Sequence, residues 1–184
     1  MERKPGRALL LVDFINLFDF DGAGALARRA VPAARHAAKL KQRAAAAGIP
    51  CIYANDNFGQ WKSEFSRLVE ECAKRGGASA EIVRVLHPTH DDYAVLKPRH
   101  SAFYGTPLEF LLDELEVDSL VIAGIATDMC VSATAQDAYV RKYKLWVPAD
   151  CVAADSEEHE RQALDHIART MKADVRPAEE NPGM

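Results

Sequence analysis

A three-layer α/β domain built on a parallel β-sheet is the fold this sequence predicts, and three observations predict it. Short apolar runs recur at 8–13 (ALLLVD), 51–55 (CIYAN), 119–125 (SLVIAGI) and 145–150 (LWVPAD), each of the kind that parallel sheets bury on both faces. Segments with apolar residues at helical spacing separate them. Glycines close the first two of these segments. Strands alternating with helices give a parallel sheet with both faces covered.

The elements follow in order. Residues 8–13 form the first strand. Residues 24–47 are alanine-rich, carry Leu26, Val31 and Leu40, and stop at Gly48, which reads as a helix with a glycine end. Ile49 and Pro50 lead into the strand 51–55. From Ser63 to Arg75 the residues Phe65, Leu68, Val69 and Cys72 lie at helical spacing, and Gly76 and Gly77 end the pattern. Residues 78–93 read as irregular, and AVLK (94–97) as a short strand. Thr106, Pro107 and Glu109 are placed as a capping box with proline in the first turn. The run 119–125 is the strongest strand signal, and a helix over about 128–142 follows it directly. After the strand 145–150, Ser156 to Met171 is a helix with Leu164, Ile167, Ala168 and Met171 on its apolar face. Its first turn carries Glu157 and Glu158, which complement the helix dipole. ADVRP (173–177) reads as a last short strand, and the tail EENPGM as frayed.

No repeat, linker or low-complexity stretch divides the chain, so residues 1–184 read as one domain. Hydrophobic residues are 48 % and charged residues 27 %, an ordinary composition for a domain with its own core. The net charge of −4, with no basic run, argues against nucleic acid and against an anionic membrane surface. The apolar run from Ala8 to Val12 is too short for a signal-peptide core or a membrane span, so a cytoplasmic protein is expected. The cysteines, Cys51, Cys72, Cys130 and Cys151, show no metal-knuckle or redox-pair spacing. In a reducing compartment, Cys51, Cys72 and Cys151 read as small buried hydrophobes.

In an open parallel sheet, ligands sit beyond the carboxyl ends of the strands. The residues found there are Asp13, Asn55 with Asp56, Lys97, Cys130 and Asp150. Three of them form a chemical set: a carboxylate, an ammonium and a thiol. Cys130 stands inside the first turn of a helix, where free N–H groups and partial positive charge stabilise a thiolate. A lysine nearby adds a full charge, and a carboxylate can take the thiol proton and return it to a leaving group. Taken singly, Asp13 also reads as a cap and Lys97 as a surface lysine.

The stretches LLLVDFINLFDF (9–20), VLKPRHSAFYGTPL (95–108), GIATDMCVSATAQDAYVRKY (124–143) and PADCVAADSEEHERQAL (148–164) resemble the isochorismatase-like cysteine hydrolases, in the same order and spacing. The resemblance covers most of the chain. It implies a six-stranded parallel sheet ordered 3-2-1-4-5-6, which sets Asp13 and Cys130 across one crevice and leaves the strand of Lys97 two positions away. It implies a triad of Asp13 as acid–base, Lys97 as charge stabiliser and Cys130 as nucleophile. It further implies a cis peptide at Ile125–Ala126 and an oxyanion hole from the N–H groups of Ala126 and Cys130. Family members commonly form homo-oligomers, so a dimer or tetramer acting on a small-molecule substrate is expected.

The sequence also departs from the family. Ile15, then Asn16, stand where members often carry a glutamine. Nicotinamidase-type members hold a metal after strand two with an aspartate and histidines, whereas NDNFGQWKSEF (55–65) has no histidine, so no metal and no other cofactor is expected. His87, His90 and His100 lie elsewhere and read as surface or capping residues. Members that cleave a vinyl ether typically lack the cysteine. Its presence favours hydrolysis of an amide, carbamoyl or related C–N bond through a thioester. The alternatives are an isochorismatase-type vinyl-ether hydrolase and an inactive binding protein on this fold. GAGALA (22–27) is too far from the first strand for a dinucleotide fingerprint. Ile15 also stands where a phosphatase of the aspartate-nucleophile type wants a second aspartate. Phe18, Trp61, Phe103 and Tyr104 are candidate pocket walls, with core or subunit packing as the competing use.

Overall fold

The computed structural model describes residues 6–59, 61–62 and 64–181. The parallel sheet contains β1 (Gly6–Val12), β2 (Cys51–Asp56), β3 (Tyr93–Lys97), β4 (Val117–Ile125), β5 (Lys144–Trp146) and β6 (Val152–Ala153). The strand order is β3-β2-β1-β4-β5, with β6 also beside β4. The helices are α1 (Ala23–Ala46), α2 (Phe65–Arg75), α3 (Gly77–Val85), α4 (Leu108–Glu114), α5 (Ser132–Val140) and α6 (Glu157–Met171). None of the described helices is long and apolar enough to cross a membrane.

The core lies in two layers, one on each face of the sheet. Leu9, Leu11 and Tyr53 point toward α1, α2 and α3, while Leu10, Val12, Ile52 and Ala54 point the other way, toward α4, α5 and α6. This alternation is the period of two of a pleated strand, applied where both faces are covered. The long helix α1 buries small residues, Ala30, Ala34 and Ala37, against the sheet, with Leu26 and Leu40 near its ends.

Several elements differ from the sequence reading, each for a local reason. Residues 77–85 are helical, because Gly76 and Gly77, at φ 82° and 58°, turn a corner after which Ile82 and Val83 are buried. Ser63, the expected start of α2, lies outside the described residues. Glu109 does not complete a capping box. Its carboxylate accepts from Arg141 Nε at 3.0 Å, while the Thr106 hydroxyl accepts from the Leu108 N–H at 3.2 Å. The expected strand 145–150 stops at Trp146, since Pro148 has no N–H to give a ladder. A short turn at Ala149–Cys151 follows, and pairing with β4 resumes at Val152. The segment around Asp174 lies along β5 through a single parallel bridge to Trp146. The tail is tied down as far as Ala178, which is buried and donates its N–H to Asp150 Oδ1 at 2.7 Å. Residues 182–184 lie outside the described residues.

β1 and β4 approach closely at the end that carries the site. Val12 faces Gly124, and a Cβ on Gly124 would sit 2.2 Å from the Val12 carbonyl oxygen. Gly124 has φ 151°, which side-chain-bearing residues rarely adopt. Gly124→Ala is expected to lower stability by about 1–3 kcal/mol or more, seen as a lower urea midpoint. Gly24→Ala, whose Cβ would meet nothing closer than 3.7 Å, serves as the control and keeps its midpoint. Equal midpoints for the two variants would show that the strands can part at Gly124 without cost.

Candidate active site

Asp13 follows β1 directly, in a left-handed conformation at φ 53°. Its N–H donates to the Ala54 carbonyl at 3.0 Å, which continues the β1–β2 ladder by one rung. The residue is 4 % exposed, and its Oδ1 accepts the Asp56 N–H at 2.6 Å. The loop beyond is held by side chains. Asn55 Nδ2 donates to the Ile15 carbonyl at 2.6 Å, and the Ser79 hydroxyl donates to the Asn16 carbonyl at 2.7 Å. A loop pinned this way holds its carboxylate in one position.

Lys97 ends β3, two strands from β1, and its side chain crosses the end of β2 to reach the crevice. It is fully buried. Its ammonium stands 2.7 Å from Asp13 Oδ2, 3.7 Å from Asp56 Oδ2 and 3.5 Å from Cys130 Sγ, and it donates to the Arg99 carbonyl at 3.1 Å. A four-carbon stem laid across one strand closes the gap that topology leaves. A buried ammonium needs such partners, since an unpaired charge there would be strongly destabilising.

Cys130 lies in a wide π-helical turn, Thr127–Val131, that precedes α5. The Ala126 carbonyl accepts from both Met129 N–H, at 3.1 Å, and Val131 N–H, at 3.2 Å. The Ile125–Ala126 peptide is cis. Among the four cysteines only Cys130 is not buried. The helix expected at 128–142 is therefore divided into a wide π turn, Thr127–Val131, and α5.

The electrostatics correct the expectation of a resting thiolate at Cys130. Burial pushes its pKa up, the Asp13 charge adds to this, and Lys97 opposes both only in part, leaving it at about 12. The positive charge of Lys97 is largely spent on Asp13, the closer partner. Burial likewise raises Asp13 above its ordinary value, against Lys97 and the hydrogen bond from Cys130. For Lys97, burial lowers the pKa, but Asp13, Cys130 and Asp56 outweigh it and raise the result. Asp13 and Cys130 thus each hold a proton more tightly than usual, beside an ammonium that stays charged.

Asp13 and Cys130 form the floor of a cavity of about 450 Å³, with Lys97 buried behind them. Its apolar wall is Leu26, Phe20, Phe58, Ile125 and Met129, and its polar rim includes Asp21, Asp128, Asp155, His100 and His159. Of the expected wall residues, none lines this cavity. Phe103 is in the core beneath Arg141 and beside Tyr143, Phe18 packs on the opposite core layer, and Tyr104 is 64 % exposed. Trp61 is 81 % exposed and lines a neighbouring hollow that shares Asp56, Phe58 and His100. The aromatic walls instead come from Phe20 and Phe58, on the loops that follow β1 and β2. Their signal in sequence was position after a strand end, which several aromatics share.

His100 was also missed. One ring nitrogen, Nδ1, lies 3.5 Å from Cys130 Sγ. Nothing in a lone histidine three residues past Lys97 shows that the chain bends back over the thiol there. Among the described residues no group of three or more His, Cys, Asp or Glu is arranged to hold a metal ion. Asp56 gives Oδ1 to the Phe58 N–H at 2.6 Å and Oδ2 to Lys97, so the residues around it do not fit a metal site.

Residues 7–180 match the isochorismatase domain family. The uncharacterized isochorismatase family protein YaaI of Bacillus subtilis is 38 % identical over 96 % of this chain and 97 % of its own. The ureidoacrylate amidohydrolase RutB of Acinetobacter baylyi is 28 % identical over 87 % of this chain and 76 % of its own. Among solved structures, N-carbamoylsarcosine amidase of Thermoplasma acidophilum superposes with a TM-score of 0.73 at 27 % identity, covering 97 % of this chain and 99 % of the other. With the fold, the strand-end residues and the family match in agreement, the chain belongs to the isochorismatase family.

Proposed function

We propose that this protein hydrolyses a small amide or carbamoyl C–N bond through a thioester on Cys130. One observation carries the reading: the buried Lys97 ammonium stands 2.7 Å from the Asp13 carboxylate and 3.5 Å from the Cys130 thiol, and Asp13 and Cys130 both line an open cavity. Relatives named as a ureidoacrylate amidohydrolase and an N-carbamoylsarcosine amidase support the bond type.

In the proposed cycle, substrate carbonyl carbon meets the sulfur as Asp13 takes the thiol proton. Removing that proton in the resting site is costly, so the thiolate develops as the bond forms, and Lys97 holds the charge it leaves behind. The N–H groups of Ala126 and Cys130 receive the oxyanion. Asp13 returns the proton to the nitrogen, the C–N bond breaks, and the amine departs. Water then cleaves the thioester.

The rim decides which amides fit. Asp21, Asp128 and Asp155 line it, and the cationic candidate is His159, bound to Asp155 at 2.6 Å. Benzamide, 4-(aminomethyl)benzamide and 4-carbamoylbenzoate match in size and differ in charge. Ammonia release by the wild type is expected to favour the neutral and cationic amides over the anionic one by ~10-fold at low salt. The gap should narrow as salt is added. Fastest turnover of the carboxylate would refute the charge reading. No ammonia from any of these, nor from nicotinamide or N-carbamoylsarcosine, would count against amide hydrolysis itself.

A further inference from the structure

The mechanism so far leaves one group at the sulfur unused. His100 lies on the cavity side of Cys130, with Nδ1 3.5 Å from Sγ. Asp13 and Lys97 approach the same sulfur from the buried side, 4 % and 0 % exposed. The backbone that carries His100 is fixed at both ends. Lys97 Nζ donates to the Arg99 carbonyl at 3.1 Å, Ser101 Oγ donates to Asp137 Oδ2 at 2.5 Å, and the Ala102 N–H donates to Thr134 Oγ1 at 3.0 Å. An exposed ring on a backbone anchored this way has a set distance to the nucleophile.

Breakdown of a thioester needs a base beside the acyl carbon, on the side from which water comes. The acyl group on Cys130 extends into the cavity, since the other sides of the sulfur are filled by Asp13 and Lys97. Asp13 already accepts from Asp56 N–H at 2.6 Å and from Lys97 at 2.7 Å, beneath the sulfur. His100 borders the open side.

We infer that His100 is a fourth catalytic residue, the general base that activates water for release of the acyl group. The inference rests on the reading of Cys130 as nucleophile. An imidazole nitrogen of His100 takes a proton from water as the oxygen bonds to the acyl carbon. The C–S bond then breaks, the acid leaves, and the imidazolium returns the proton to the sulfur. The cycle ends with a free acid, a neutral imidazole and a Cys130 thiol, so one water is consumed and no other reactant is needed. Acylation is thereby assigned to Asp13 and deacylation to His100.

The test uses 4-nitrophenyl acetate, which acylates thiols without help at the leaving group. Wild-type protein and His100→Gln are treated near neutral pH, and the acetyl group on Cys130 is followed by peptide mass spectrometry. Both proteins are expected to acetylate at Cys130 at similar rates. Loss of the acetyl group should be ~100-fold slower in His100→Gln, as expected for removal of a positioned base. The side chain is exposed, so the variant retains its fold, and an unchanged urea midpoint verifies this. Acetyl groups that form and decay equally fast on both proteins would overturn the role of His100 and leave Cys130 standing. Absence of acetyl at Cys130 on both would overturn the nucleophile itself, and His100 with it.

Discussion

Cys130→Ala is expected to abolish hydrolysis of whichever amide the wild type turns over, by ~10⁴-fold or more, as removal of the nucleophile does in covalent hydrolases. The reason is specific to this site. Asp13 alone would have to activate water, but its carboxylate is buried under the sulfur, with one oxygen on a backbone N–H and the other on Lys97. Without the sulfur there is no atom to carry the acyl group between the two half-reactions. Stability should change little, because Cys130 is only part-buried and its loss leaves the Asp13–Lys97 pair intact. Iodoacetamide reads the same atom independently. Cys130 should label first of the four cysteines through access alone, as Cys51, Cys72 and Cys151 are buried. Its labelling rate should keep rising with pH well beyond neutrality, since burial and Asp13 push its pKa up to about 12. A plateau reached in mild acid would contradict that assignment. Wild-type turnover in Cys130→Ala would end the thioester mechanism.

Lys97→Met should lose nearly as much activity, by a different route. Burial already raises Asp13, and Lys97 is the main influence holding it down. Methionine keeps the unbranched stem and removes the charge, so Asp13 rises further and holds a proton near neutral pH. A neutral carboxyl cannot take the proton of Cys130, and the rate should fall by ~10²–10⁴-fold. The same change has a stability signature. A carboxyl whose pKa is higher folded than unfolded binds more protons in the native state between the two values. Stability then falls as pH rises through that window, by about 1.4 kcal/mol per pH unit for one group. Wild type and variant should therefore lose stability together from the unfolded carboxylate value, about 3.9, up to the raised folded value of the wild type, and the variant alone should go on losing it up to its own higher value and stay level above that. Lys97 itself is raised in the wild type, so its own contribution is complete throughout this range and is lost only in strong alkali. Urea midpoints of both proteins across mild acid to neutral pH measure the difference. A gap independent of pH would mean that Asp13 does not change its protonation when Lys97 is removed.

The aspartate, lysine and cysteine were legible because strand ends in a parallel sheet are readable from apolar runs. Val12–Asp13, Leu96–Lys97 and the turn after Ile125 each stand where such a run stops. α6 was legible almost to the residue, because Ser156 caps it by accepting the His159 N–H at 3.2 Å and its apolar spacing is regular. α3 was not, because it is only nine residues long and follows a glycine pair that in isolation signals a stop. The pocket wall was misread because Phe18, Phe20, Phe58, Phe103 and Tyr104 all follow strand-end motifs. Sequence distance does not say which of them faces the cavity.

Local pattern therefore determined the layers, the alternation of elements and the types of residue at the crevice, since each depends on neighbours a few positions apart. Only tertiary structure decided how those residues act. Lys97 reaches Asp13 across β2, His100 folds over Cys130, and β5 breaks at Pro148 before pairing resumes. The resting thiol is protonated because burial and Asp13 outweigh Lys97. A pKa is set by charges and solvent within a few ångströms, and here the groups that set it are Asp13, Lys97 and Cys130, brought from three separate strand ends into contact.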